Sequence, residues 1–259
     1  MNLKHINLIG VELEGGWRSD KSRQEGWHGD GSVSVYDSDD DNDHTEDCDE
    51  DCDINHRRGR VQGEFVSPPM GLTALSKFIK DNYPDDVDDS CGMHIHFSFH
   101  KDGDYARLMT TRFYGYFLRK MSAFGKAKHI RPSHEFWDRL AGRNTYCCHN
   151  IKTIRGEAED FRDLVVMQRD SRSREEERYH HLNFCKRLHN TLEVRLLPMF
   201  ESSKMAVAAA QFLAISIERY LRKPQRLRVF KTEIDDFVPE EVNTVEEVYL
   251  GEEVLECVS

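Results

Sequence analysis

The chain has 259 residues and a mass of 30.3 kDa. This is the size of one large domain or two small ones, long enough to bury a core without a disulfide or metal staple. Hydrophobic residues make up 38% and charged residues 32%, which excludes collagen-like and membrane-spanning classes. The longest apolar stretch, 205–217, is broken by Gln211 and is too short for a bilayer. The net charge of −11 is concentrated, because residues 37–53 hold eleven Asp or Glu and no Lys or Arg. The rest of the chain is neutral overall, and no basic block points to nucleic acid.

Residues 7–14 alternate as a strand, with Glu12 and Glu14 on one face and Ile9, Val11 and Leu13 on the other. Gly15-Gly16 is expected to end it. Strands are predicted at 32–36 and 60–66, the arms of a hairpin whose long tip is the acidic run, solvated by self-repulsion. Pro68-Pro69 closes the second arm, and 71–83 reads as an amphipathic helix carrying Leu72, Leu75, Phe78 and Ile79. A further strand spans 91–100, with His94 and His96 facing away from Met93, Ile95 and Phe97. A long helix is predicted at 104–123 and a short one through Leu140, capped by Ser133 with Glu135 in its first turn. Residues 157–178 are polar and carry no assignable pattern.

Residues 179–184 and 191–197 read as paired strands joined near His189-Asn190, and 202–221 as a helix apolar on most faces and therefore buried. The chain thus divides into a main domain, 1–224, bearing an acidic hairpin insertion at 37–58, and a weakly patterned peripheral segment, 225–259. Strands do not alternate strictly with helices. The expected class is α+β, with a largely antiparallel sheet and helices packed on one face.

One device recurs. Residues two apart in a strand share a face, and Glu12/Glu14, His94/His96 and Glu193/Arg195 are such pairs, with Glu64 alone on its strand. If these strands join in one sheet, a single face presents several oxygen and nitrogen ligands beside a cation. Carboxylate-rich sets favour Mg²⁺ or Mn²⁺ and make a poor structural zinc site. The arrangement suits two ions holding a polyphosphate. The bland alternative is a sheet with one wet, charged face, where Glu-x-Arg is a surface ion pair. No Gly-x-x-x-x-Gly-Lys-Ser/Thr loop is present.

Seven irregularly spaced cysteines and an N-terminus without a signal-peptide pattern lead to the expectation of free thiols in a cytoplasmic protein. Cys147-Cys148 has no partner in the sequence that would lower a thiol pKa. The acidic run lacks the spacing of a calcium loop. Trp17 and Trp27 flank a loop able to cover a substrate, or serve as packing.

The succession Ile9-Gly10-Val11-Glu12-Leu13-Glu14, Gly29-Asp30-Gly31-Ser32, Gly63-Glu64-Phe65-Val66-Ser67-Pro68-Pro69, Cys91-Gly92-Met93-His94-Ile95-His96, Arg178-Tyr179 with Asn183, and Thr191-Leu192-Glu193-Val194-Arg195 resembles the amidoligases. These are a branch of the carboxylate–amine ligase superfamily related to glutamine synthetase and glutamate–cysteine ligase. The resemblance spans about residues 6–200 in order. It implies a curved sheet of the glutamine-synthetase catalytic type, ATP, and two Mg²⁺ or Mn²⁺ ions. It also implies amide formation between a small-molecule or peptide carboxylate and an amine through an acyl phosphate.

Carried over by position, the resemblance gives Glu14 and Glu64 one ion, with Asp30 beside it or against the amine. It gives Glu12, Glu193 and one of His94 and His96 the second ion, next to the ATP phosphates. Arg195 would neutralise the transferring phosphoryl group, Arg143 hold a carboxylate or phosphate, and Arg178 act similarly, while Asn183 braces the hairpin. The competing reading is a metal-dependent hydrolase or non-haem iron enzyme built on His94, His96 and one Glu, which leaves Glu12, Glu14 and Arg195 without a joint role.

Overall fold

The computed structural model describes residues 3–18, 21, 24–29, 33, 60–144, 147–149, 180–184 and 191–223. In chain order the elements are β1 (Ile6–Arg18), β2 (Trp27–His28), β3 (Arg60–Val66), α1 (Leu72–Asp81), β4 (Gly92–Phe99), α2 (Asp102–Ala106), α3 (Thr111–Ala127), α4 (Glu135–Leu140), β5 (Leu182–Asn183), β6 (Leu192–Pro198) and α5 (Ser203–Arg222). Among the described residues the strands form one six-stranded sheet of order β2-β3-β1-β4-β6-β5, antiparallel at every pairing. This is the expected α+β class. The expected strand at 32–36, the acidic insertion, the segment 157–178, the turn near 189–190 and the segment 225–259 lie outside the described residues, except for Val33, which is buried and not in a strand.

The core forms on the apolar face of the sheet. Val11 and Leu13 of β1, Met93, Ile95 and Phe97 of β4, and Leu192 and Val194 of β6 are fully buried. Alternation places them together, and removing each such side chain from water contributes about 1.5–3 kcal/mol. The helix α1 packs on β1, α5 on α1 and α3, and α4 on β6.

Several elements depart from expectation for identifiable reasons. The strand β1 runs through Gly15-Gly16 to Arg18. The glycines do not end it; they make room. A Cβ on Gly15 would stand 2.5 Å from Pro84 Cβ and 2.9 Å from the Asp86 carbonyl, and Gly16 pairs its N–H with that same carbonyl at 2.9 Å. The helix predicted at 104–123 divides into α2 and α3, because Thr110 turns extended (φ −140°, ψ 145°) and its hydroxyl accepts the Phe113 N–H at 3.2 Å. The short helix α4 is capped by His134 rather than Ser133, its Nδ1 accepting the Phe136 N–H at 3.1 Å. Trp17 is fully buried, edge-on to Phe65 with centroids 5.3 Å apart, and its indole N–H donates to the Asn82 carbonyl; it is packing, not a cover.

The buried helix α5 carries one ionisable exception. Glu218 is fully buried, and its carboxylate accepts the backbone N–H groups of Lys4 (2.8 Å), His5 (3.0 Å) and Ile6 (3.4 Å) and Nε of Arg222 (2.9 Å). Burial pushes this carboxyl up, but those donors outweigh it and hold it below the usual range. Glu218 is an anchor for the start of β1, far in role from the carboxylates of the polar face.

Candidate metal centre

The polar face is assembled by register. Glu12 of β1 stands opposite His94 of β4, and Gly10 opposite His96. His96 stands opposite Glu193 of β6, which in turn faces Asn183 of β5. On the other side, Glu14 faces Glu64 of β3, and Glu64 faces His28 of β2. Cross-strand neighbours lie about 4.5–5.5 Å apart at Cβ, so residues from six segments of chain share one surface.

Contacts between head groups follow. His94 Nδ1 lies 3.2 Å from Glu12 Oε2, 3.6 Å from Glu14 Oε1 and 4.0 Å from Glu193 Oε1. His96 Nε2 lies 3.0 Å from Glu12 Oε1, and its Nδ1 is 3.3 Å from the Thr191 hydroxyl. Glu193 is gripped from two sides: Asn183 Nδ2 donates to Oε2 at 2.8 Å and Arg195 Nη1 to Oε1 at 2.6 Å. The Asn183 amide therefore positions a carboxylate instead of merely bracing the hairpin.

A bulge places Arg195. Met93 pairs with Leu197 but Ile95 pairs with Val194, so β6 sets two residues, Arg195 and Leu196, against His94 alone. Past the bulge the alternation resumes one residue out of phase, which is why Leu196 and Leu197 are both fully buried while Arg195 stays among the charged groups.

The electrostatics are those of a desolvated, mutually dependent cluster. Glu14, His94, Glu193 and Arg195 are buried, and Glu12 and His96 half-buried. Burial pushes the Glu12 carboxyl up, but its bonds to His94 and His96 outweigh that and hold it well below the usual carboxylate range. Burial likewise pushes Glu193 up and is outweighed by the charge of Arg195, then His96 and His94, leaving it lowered. His96 is pushed down by burial but ends raised, held by Glu12 and the charge of Glu193. Burial also lowers Arg195, yet Glu193 more than restores it. Taking this many ions from water costs several kcal/mol each, and well-packed apolar residues generally stabilise as well or better. The cluster is thus a poor way to hold a sheet together and a good way to hold a ligand.

Among the described residues, Glu12, His96 and Glu193 bring three ligand-type atoms within 4.8 Å of one another. Two carboxylates and one imidazole are a donor set suited to a hard divalent cation, and Thr191 at the far nitrogen of His96 is the kind of outer partner that orients a ligating ring. His94 sits instead between Glu12 and Glu14. For the other expected ion, Glu14 and Glu64 face each other across β1 and β3, while Asp30 lies outside the described residues. One oxygen of Glu14 accepts the Gly92 N–H at 2.5 Å.

The expected arginines fare differently. Arg178 lies outside the described residues. Arg143 does not join the cluster: it is exposed, with Nε and Nη2 both donating to Asp138 Oδ1 at 3.0 and 2.6 Å. The turn that follows α4 accounts for this, since Gly142 adopts φ 65° and its missing Cβ leaves room for the His149 ring, at 1.9 Å from where that Cβ would stand. Besides Arg195, the arginine that reaches the face is Arg139 of α4, only 1% exposed. Its Nε pairs with Glu135, and Nη2 donates to the carbonyls of Asp89 (3.2 Å) and Cys91 (3.0 Å). Burial raises the Glu135 carboxyl to about 7, with Arg139 offsetting part of that rise. Sequence reading passes over Arg139 because nothing in Phe-Trp-Asp-Arg-Leu distinguishes it from a solvated helix residue. Cys147 is buried and its thiol pushed up to about 12, so it is not a poised nucleophile.

None of the helices among the described residues is long and apolar enough to cross a membrane. No family model, curated protein or solved structure matches the chain.

Proposed function

We propose that the protein is an ATP-dependent carboxylate–amine ligase of the amidoligase type, with a sheet of the glutamine-synthetase catalytic kind. The observation that carries the reading is the convergence of Glu12, His96 and Glu193, with Arg195 bonded to Glu193, on one face of an antiparallel sheet. Glu12, His96 and Glu193 are the residues that would hold one Mg²⁺ or Mn²⁺, and Glu14 with Glu64 those that would hold the other. Bound there, such ions supply positive charge that binds polyphosphate and offsets negative charge in phosphoryl transfer.

The chain's own groups supply the rest. A carboxylate is anionic and lacks a leaving group; its oxygen attacks the γ-phosphorus of ATP, the bond from that phosphorus to the bridging oxygen breaks, and ADP departs. The amine then attacks the acyl carbon, phosphate leaves and a proton is lost from nitrogen. Arg195, a permanently charged guanidinium held by Glu193, faces charge that spreads over the transferring group. Asn183 holds Glu193 so that Arg195 and the cation ligand keep one geometry. A non-haem iron site is less well supported. It calls for two histidines and one carboxylate, whereas the trio here has the reverse ratio.

The test is ADP release by the purified chain with MnCl₂ across panels of carboxylates and amines, read with product mass spectrometry. Release that requires both co-substrates supports the reading. Metal-dependent hydrolysis of an ester or amide without ATP would overturn it. Melting temperature with ATP plus Mg²⁺ or Mn²⁺ against Zn²⁺ or Fe²⁺ gives an independent readout, since a ligand bound to the folded state alone must raise it.

A further inference from the structure

Arg139 enters the polar face from outside the sheet, on a helix that packs on β6 and, through Phe136 against Phe124, on α3. Three of its donor directions are used for anchoring: Nε by Glu135, and Nη2 by the carbonyls of Asp89 and Cys91. A guanidinium is planar and rigid, so fixing those two nitrogens fixes the direction of the third. Among the described residues Nη1 makes no hydrogen bond, although the residue is 1% exposed. A charged donor with no protein acceptor is free to take a ligand oxygen.

Gly92 shows where Nη1 points. A Cβ built on Gly92 would lie 3.1 Å from Arg139 Nη1, 3.1 Å from Glu14 Oε2 and 2.7 Å from His94 Nε2. The absence of a side chain at position 92 lets these three heads meet over bare backbone. The cation ligands Glu12, His96 and Glu193 lie along the same face, and Arg195 stands beside Glu193. Arg139 thus brings a second guanidinium to the face, at Glu14.

We propose that Arg139 is an oxyanion-binding residue of this site, its Nη1 taking a phosphate or carboxylate oxygen of the ligand beside Glu14 and His94 over Gly92. Only the source of that oxyanion, the phosphoryl group or the carboxylate substrate, rests on the ligase reading; the guanidinium's vacant donor and its placement do not.

The test measures binding of inorganic phosphate and of acetate by calorimetry, with and without MnCl₂, alongside Mn²⁺ binding by electron paramagnetic resonance, in the wild-type chain, Arg139→Gln and Arg139→Lys. Wild type should bind at least one of the two anions. Arg139→Gln should weaken that anion by about tenfold or more, in line with the loss of a charge-assisted hydrogen bond. Its Mn²⁺ affinity should be unchanged or tighter, because a positive charge beside Glu14 has been removed; a merely structural lesion weakens both. Loss of phosphate alone assigns the phosphoryl group, and loss of acetate alone the carboxylate. If Arg139→Gln fails to fold by circular dichroism, Arg139→Lys serves. It keeps charge and similar bulk but cannot hold the Asp89 and Cys91 carbonyls and reach the face together, so anion affinity should again fall. Anion affinity equal to wild type in a folded variant, or no binding of either anion to wild type, overturns the inference. Failure of Mn²⁺ to bind wild type while the anion result holds counts instead against the metal reading.

Discussion

Glu12 and His94 face each other across β1 and β4, and His94 Nδ1 comes within 3.2 Å of Glu12 Oε2. The pairing is one rung of a charged ladder, with His96 and Glu193 as the next. Glu12 is held low by its bonds to His94 and His96, and Glu193 by the charge of Arg195, so removal of one member should be felt by the others.

Glu12→Gln and Glu193→Gln should each weaken Mn²⁺ binding by more than tenfold and abolish ATP turnover. Their stability costs should differ. Glu193 is buried and hydrogen-bonded to both Arg195 and Asn183, so its loss takes the bonded carboxylate from a buried guanidinium, at about 3 kcal/mol. Glu12 is partly exposed, at 24% of its side chain, and should cost less. Urea denaturation and electron paramagnetic resonance titration check the two halves.

Thr191→Val should lower Mn²⁺ affinity roughly tenfold while leaving the fold intact. The hydroxyl lies 3.3 Å from His96 Nδ1, and outer partners of ligating imidazoles have effects of about 10–100-fold. Unchanged affinity would show that His96 is not the ligand, or that its ring is held by something else.

His181 should give the protein a marked loss of stability toward acid. Its Nδ1 is 2.9 Å from the Tyr114 hydroxyl and its Nε2 is 2.7 Å from the Arg139 carbonyl, and burial, with a smaller contribution from His149, drives its pKa down to about 3. In the unfolded chain the ring takes a proton near pH 6.5. Between those values the unfolded state binds more protons, so stability falls as pH is lowered, by up to about 1.4 kcal/mol per unit. Chemical denaturation at pH 7, 6 and 5 should show this slope, and His181→Gln should flatten it.

Gly15→Ala should destabilise by about 1–3 kcal/mol without touching a ligand, because the new methyl group meets Pro84 and the Asp86 carbonyl. Gly71→Ala, where a Cβ meets nothing within 4 Å, is the matched control. Thermal melts of the two variants decide it.

The alternation of β1, β4 and β6, the amphipathic spacing of α1 and the apolar α5 were legible in the sequence because burial of one face imposes a period that composition alone reveals. The same period puts Glu12 with Glu14, and His94 with His96, on a shared face. Breaks were harder to see. The divide between α2 and α3 turns on one hydroxyl at Thr110, and the continuation of β1 through two glycines turns on a distant loop that needs their space.

Local pattern therefore settled which side each charged residue would face. It left open which strand would neighbour which, where the bulge at Arg195 would fall, and which arginine would come inward. Those depend on pairings between segments as far apart as Glu12 and Glu193, and on the turn at Gly142 that sends Arg143 to solvent while Arg139 is held by Glu135 and two carbonyls. A side chain's face is set by its own backbone geometry, whereas its neighbours across a sheet are chosen by the packing of the whole chain.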